Sequence, residues 1–345
     1  MFAIESSCDE SALAVFDSDK GIVAELVNTQ VALHGQFGGV VPDLASREHL
    51  ANFPELLARL ACEINSEETD AVAVTRGPGL AGCLALGIAY ARTVAQVWEK
   101  PLLAVNHLRG HLFSPFIPEH EKNPSTFPHE VKKYFPHLGL VVSGGNTLLV
   151  SVEESRRVEI LAQTVDDAAG EAFDKGAKLL GMPYPGGALI EKQANLARER
   201  GKFTFPRGEN LKKGERFSFS GLKTSLRYRL EKMSDEELEA SLPEICADYQ
   251  DAIIAQLAGK VEAALRERTF ASIGLSGGVS NNKALRAAFA KIAAKHKIPL
   301  LTAHPKHTGD NAAMIAFAAW FDSCLPSPEP ELPVTFEPSL TIDKA

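Results

Sequence analysis

Short apolar runs broken by small polar turns organise this chain. Residues 2–6, 12–16 and 22–27 read as three strands, joined by polar turns at 7–11 and 17–21. The same succession returns at 138–164: an apolar run, the turn 143–147, a second run at 148–152, a charged turn, and a third run at 158–162. Strand, small turn, strand, charged turn and strand thus occur twice, which predicts an internal duplication. Between the copies, a Gly-rich loop from His34 enters a helix that runs through Leu60. A buried strand at 71–75 ends in Gly77-Pro78-Gly79-Leu80, and a long apolar helix follows over 81–98.

Further on, the apolar run 102–105 leads directly into Asn106-His107-Leu108-Arg109-Gly110-His111, and residues 118–136 are a polar, Pro-punctuated connection that reads as a domain boundary. After the second copy come a helix from Asp166 to near Leu180, a tight turn at 183–187 with a helix from Ala188, and a basic loop at 207–224. Two helical runs reach Arg268. A strand at 271–275, the loop 276–282 and a basic helix to Lys297 precede a last strand at 300–302. The loop 304–311 then opens an apolar helix to Phe321, and the Pro/Glu-rich stretch from Pro326 predicts a poorly packed tail.

Composition narrows the class. A chain of 345 residues, 45% apolar and 23% charged, suits a globular protein of two domains. No stretch approaches the roughly 20 apolar residues of a membrane span. The N-terminus runs straight into a strand, without the basic region and cleavage site of a secretory signal. Five scattered cysteines with no Cys-x-x-Cys pair point to a reducing cytoplasm rather than a disulfide framework. A net charge of −8 argues against broad nonspecific nucleic-acid binding but leaves room for a local basic track.

Histidines four apart on a helix share a face, about 6 Å apart, so His107 and His111 can hold one metal ion, or be an ordinary surface or core pair. Leu108 stands where a His-Glu-x-x-His protease would carry its base, so a metalloendopeptidase lacks that group. Asp310, at a loop–helix junction, is the natural third ligand, with His304 and His307 as rivals that read more simply as solvated loop residues. Two imidazoles and a carboxylate suit zinc or iron(II). The turns 7–11, 143–147 and 276–282 can crowd backbone N–H groups against an anion, as in a nucleotide or adenylate site between two lobes. Asp174 can accept from ribose hydroxyls or be a solvated helix residue. Gly187 lets a ligand approach or simply turns the chain. Asp9 and Glu10 can bind a metal, orient an amino group, act as base, or be plain turn carboxylates. Arg47, Lys212, Lys213, Arg216, Lys223, Arg227 and Arg229 can line an RNA path, as can Lys283, Arg286, Lys291 and Lys295; each is also an ordinary surface charge.

Taken together, ESSCDE, GGVVPDLASR, GPGL, the Asn-His-x-x-Gly-His stretch, VSGG, DDAAGEAFDK, YPGG, FSFSGLKT, GGVS and DNAAMIA span Glu5 to about Ala318. The chain resembles the tRNA N6-adenosine threonylcarbamoyltransferase family of bacterial type, once described as O-sialoglycoprotein endopeptidases. The resemblance implies an α/β, duplicated actin/Hsp70/sugar-kinase-like (ASKHA) fold. Its first lobe would be 1–117 plus 303–325 and its second 137–302, with an interlobe cleft and a tail at 326–345. It implies His107, His111 and Asp310 as ligands to one divalent metal, Fe2+ or Zn2+. It implies Val141, Val142, Ser143, Gly144, Gly145, Asp174, Gly187 and Asn282 as contacts to threonylcarbamoyl-AMP. The implied reaction moves the threonylcarbamoyl group to N6 of the adenine 3′ of the anticodon, in tRNAs reading codons that begin with A. The implied partners are tRNA, an inactive paralogue subunit and a small ATPase, with no membrane. An ATP-dependent kinase or chaperone of the same fold is the alternative, as is a noncatalytic paralogue, which would not need both histidines and Asp310. Four features depart from the family pattern: Asn146 after Ser-Gly-Gly, Arg109 between the histidines, Thr308-Gly309 before Asp310, and Phe336-Glu337-Pro338-Ser339 in place of an Arg-rich end.

Overall fold

The computed structural model describes residues 1–208, 216–324 and 334–344. Its chain forms two compact units: Met1–Phe135 with Glu153–Val158 and Leu301–Ala345, and Pro136–Val152 with Glu159–Leu300.

The first sheet is built from β1 (Phe2–Glu5), β2 (Glu10–Asp17), β3 (Gly21–Thr29), β4 (Val72–Gly77) and β5 (Leu102–Asn106), in the order β3-β2-β1-β4-β5. β1 lies at the centre, antiparallel to β2 and parallel to β4, and all four of its residues are buried. Alternation sorts the faces. Phe2, Ile4 and Leu13 join Phe53, Leu56, Ile88 and Val94 from the helices Pro42–Leu60 and Ala81–Trp98 in one core. Ala3, Ala12 and Ala14 point the other way, where their small side chains admit the Ala-rich helix Ala312–Ser323. Because β1, β4 and β5 run parallel, Glu5, Gly77 and Asn106 end at the same edge of the sheet.

The second sheet repeats the plan. It uses β6 (His137–Val142), β7 (Thr147–Val152), β8 (Val158–Thr164), β9 (Arg216–Phe217), β10 (Ser272–Ser276) and β11 (Leu300–Thr302), in the order β11-β10-β6-β7-β8-β9. β6 pairs antiparallel with β7 and parallel with β10, just as β1 pairs with β2 and β4. The expected duplication is therefore a duplication of topology. Helices Ala169–Leu179, Ser220–Leu230, Asp235–Glu267 and Lys283–His296 contribute to its core, which includes Leu138, Leu140, Phe173, Tyr249 and Phe289. The longest, Asp235–Glu267, starts from a Ser234/Glu237 capping box.

Three expectations need correction. Within the connection 118–136 the division of the chain falls at Phe135/Pro136, but the residues before it pack into the first unit: Phe127, Val131 and Tyr134 are buried, and Phe127 meets Phe317 and Phe321 edge-on or tilted. The charged turn Glu153–Val158 also belongs to that unit, since the Arg156 guanidinium lies 3.8 Å from the Phe321 ring centroid. Of the expected tail, residues 325–333 lie outside the described residues, and in 334–344 Leu340 and Ile342 are buried to 2% and 1% exposure. Burial of two such side chains contributes on the order of 1.5–3 kcal/mol each, enough to outweigh the polar composition that suggested looseness. Residues 209–215, which include Lys212 and Lys213, lie outside the described residues. Among the described residues no helix is long and apolar enough to cross a membrane.

Candidate metal centre

β5 ends at Asn106, whose side-chain oxygen accepts from the Leu108 N–H at 2.9 Å and so caps the helix His107–Phe113. That helix puts His107 and His111 on one face, with ring centroids 4.7 Å apart and planes nearly perpendicular. Asp310 arrives from the loop before the helix Ala312–Ser323. Its Oδ1 lies 3.0 Å from His111 Nε2 and 3.4 Å from His107 Nε2. Among the described residues these three are the group of His, Cys, Asp or Glu side chains able to share an ion, their ligand atoms all within 4.8 Å. Two imidazole nitrogens and one carboxylate oxygen converging on a single point fit a divalent cation with coordination positions left over. His304 and His307 are not in this group. His307 is also not solvated: it is fully buried, and burial holds its pKa down to about 3.

The other side of His107 was not anticipated. Its Nδ1 lies 3.1 Å from Glu5 Oε2 and 3.2 Å from Ser7 Oγ. Glu5 is completely buried at the end of β1, and it also accepts from the Ser7 N–H and the Thr75 hydroxyl. A carboxylate behind one ring nitrogen fixes the tautomer and presents the other nitrogen outward. Burial disfavours a charged imidazole, but Asp310 and Glu5 on either side outweigh it and raise the His107 pKa well above its ordinary value. Burial likewise works against the Glu5 and Asp310 carboxylates, and their histidine partners win, lowering both. The signal for Glu5 was present in the sequence as a carboxylate closing an apolar strand.

Asp9 is buried in the turn after β1, beside Glu10 at the start of β2. Burial first, and then the carboxylates of Asp310 and Asp9, raise the Glu10 pKa to about 9, so its carboxyl holds a proton at neutral pH. Arg109, which could have altered the charge at the metal, is turned away and neutralised: Nε and Nη2 grip Asp322 at 2.7 and 2.6 Å.

In the second unit, Val141 and Val142 end β6, and Ser143, Gly144 and Gly145 form the turn to β7. Ser143 accepts from the Gly170 N–H at 3.2 Å, and a Cβ on Gly170 would stand 2.5 Å from that same oxygen. Gly277, at the end of β10 with φ of 84°, passes the Val142 carbonyl so closely that a Cβ would meet it at 2.3 Å. By contrast, Gly144 and Gly145 are exposed, with nothing within 4 Å of where a Cβ would be. Asp174 is half-buried and engaged: its Oδ1 accepts from the Gly186 N–H at 2.7 Å and braces the turn that carries Gly187, and burial raises its pKa. Asn282 is occupied as well. It caps the helix Lys283–His296 through the Leu285 N–H at 2.9 Å and donates to Gln250 Oε1 at 2.6 Å. Of the anticipated basic track, Arg229 lines a groove of about 620 Å³ with Lys202, Lys232 and Tyr228.

Comparison with known proteins settles the lineage. Residues 21–317 match the sequence family described as tRNA N6-adenosine threonylcarbamoyltransferase. The chain belongs to that family. Among solved structures, HypF from T. kodakarensis superposes with a TM-score of 0.62 at 14% identity, over 94% of this chain and 48% of that one. A full-length HypF in a phosphate- and nucleotide-bound form gives 0.59 at 11%, over 95% and 47%. Component A of the (R)-2-hydroxyglutaryl-CoA dehydratase of Acidaminococcus fermentans gives 0.50 at 13%, over 93% and 97%. This chain spans about half the length of the HypF chains. At such identities the likenesses establish the fold, which is the actin-like ASKHA fold with its two mixed sheets. A threonylcarbamoyltransferase-family chain therefore carries a His-His-Asp cluster at one set of strand ends and an open Gly turn at the other.

Proposed function

We propose that this chain transfers the threonylcarbamoyl group from threonylcarbamoyl-AMP to N6 of the adenine 3′ of the anticodon, in tRNAs reading codons that begin with A. The observation that carries this is the approach of His107 Nε2 and His111 Nε2 to one oxygen of Asp310, within a family of tRNA-modifying transferases. His107, His111 and Asp310 would hold a divalent cation, Fe2+ or Zn2+, and the bound ion would supply Lewis acidity toward the acyl group. Glu5 and Ser7 keep His107 aimed at that position. The 143–145 turn is offered to the adenylate at its exposed glycines, since no atom of the described chain stands where a Cβ of Gly144 or Gly145 would be. Val141, Val142, Gly187 and Asp174 complete the assigned pocket. Asn282 contributes there by anchoring its helix.

In the transfer, the tRNA N6 forms a bond to the carbamoyl carbon, and that carbon's bond to the phosphate oxygen breaks. AMP leaves with the electron pair. The proton lost from N6 goes to the carboxyl pair Asp9 and Glu10, adjacent where the turn after β1 enters β2. Adenine N6 is a weak nucleophile, so alignment supplies much of the acceleration. The setting we assign is cytoplasmic, with tRNA, an inactive paralogue subunit and a small ATPase as partners, and no membrane.

The test is reconstitution with threonylcarbamoyl-AMP, tRNA and the candidate partners, read by nucleoside mass spectrometry. Modified adenosine is expected from the wild-type chain and not from His111→Ala. Full modification by a His111→Ala chain that holds no metal would refute the metal's part in the reaction.

A further inference from the structure

The C-terminal residues 334–344 touch the candidate site at more than one point. Asn106 uses its side chain completely: the oxygen caps the histidine helix, and Nδ2 donates to the Thr341 and Lys344 carbonyls, both at 2.8 Å. Those two carbonyls belong to one turn, closed by the Lys344 N–H on the Thr341 oxygen at 3.1 Å. Asn106 itself is only 1% exposed. The segment is held independently of this contact. The Glu337 N–H donates to the Arg76 carbonyl at 2.8 Å, the Arg76 guanidinium reaches Glu337 Oε2 at 3.1 Å, and the Arg92 guanidinium donates to the Val334 carbonyl at 2.9 Å. Its seat needs a glycine: a Cβ on Gly77 would stand 2.0 Å from the Glu337 oxygen.

The same segment is also linked to His107 by a relay of bonds. The Gly79 N–H donates to the Pro338 carbonyl at 3.2 Å, and the next residue's N–H, Leu80, donates to the Ser7 carbonyl at 2.8 Å. Ser7 Oγ is the group 3.2 Å from His107 Nδ1. A seven-residue helix has little stability of its own, so its orientation is set by what holds its first turn.

We propose that residues 334–344 form a clasp that positions the histidine pair, acting through Asn106 as a positioning residue. The proposal rests on the reading of His107 and His111 as metal ligands. Two changes in the full protein test it. A chain ending at residue 333 removes the clasp. Asn106→Asp keeps the cap acceptor but sets a carboxylate against the two carbonyls. Both are compared with the wild type by Zn2+ affinity in chelator competition and by amide exchange.

We expect exchange across residues 107–113 to rise about tenfold and the Zn2+ Kd to rise about tenfold. Exchange in the helix Asp235–Glu267 should stay unchanged. Unaltered Zn2+ affinity in both variants overturns the clasp, whatever happens to thermal stability. Should the wild-type chain itself bind no Zn2+, the metal reading fails, and exchange at 107–113 then decides the clasp alone: a rise supports it and no change rejects it.

Discussion

The turn after β1 and the turn after β6 occupy equivalent places in two copies of one topology, yet they are opposites in content. The first is filled. Glu5, Ser6, Ser7 and Asp9 are all buried, and the chain packs so tightly that a Cβ on Gly79 would sit 2.5 Å from the Ser7 oxygen. The second leaves room for side chains at Gly144 and Gly145 but is tight on the other side, where Gly170 abuts Ser143 and the Gly144 backbone. Duplication therefore supplied two scaffolds of the same hydrogen-bonded plan, and the short turns diverged. One became a polar support behind His107, and the other a turn with two exposed glycines. Topology fixes where a turn emerges, whereas side chains decide whether that place is a brace or a receptor.

Four measurements would break or sharpen this contrast. Removing a ligand has the largest expected effect: Asp310→Ala should abolish stoichiometric metal binding and lower tRNA modification by a factor of at least about 10². Metal retention with full activity would end the assignment. Next, Glu5→Gln should weaken metal affinity about ten- to a hundredfold by loosening His107, read by chelator competition. If affinity is unchanged, the filled turn is support for the fold only.

The third concerns the glycines. Gly79→Ala and Gly170→Ala should each destabilise by about 1–3 kcal/mol in urea unfolding, since backbone atoms block the added methyl. Gly144→Ala should leave stability within about 0.5 kcal/mol while raising KM for the adenylate. An unchanged KM would show that nothing binds at the open turn.

The smallest effect is a pH slope in metal-stripped protein. Burial keeps protons on Glu25 up to about pH 7 and on Glu10 up to about 9, against 4.5 ordinarily. The folded chain then holds more protons than the unfolded one, so these groups' contribution is full at low pH and is lost as pH rises through those values. His137 and His307, held down to about 3 by burial, act oppositely between there and 6.5 and are silent above it. Stability should therefore fall from pH 7 to 9, with the raised His107 contributing in the same direction, and Glu10→Gln should lessen that fall. Equal slopes in the two chains would exclude Glu10 as the cause.

Much of the plan was legible in sequence because its causes are local. Two histidines four apart share a helix face wherever the helix lies, and the repeated strand–turn–strand pattern needs only period-two burial and small turn residues. Asp310 is a different case: its loop–helix junction and the resemblance both point to it, but no local rule attaches it to His111 across 199 positions. Asn282 shows the limit from the other direction. An Asn before a helix is a ready N-cap, and here that local bond, together with Gln250, engages both of its polar atoms. The tail misled because Pro and Glu report average solvation, and averages say nothing about where Leu340 and Ile342 land.

What the sequence determined alone was the alternation, the helix face and the turns, all set by interactions among near neighbours. Tertiary structure decided which distant groups meet: Glu5 behind His107, Asp322 on Arg109, and the C-terminal carbonyls on Asn106. Such pairings follow from how apolar faces pack the sheets and helices. Hydrophobic burial is non-directional, so it carries no residue-by-residue address that could be read along the chain.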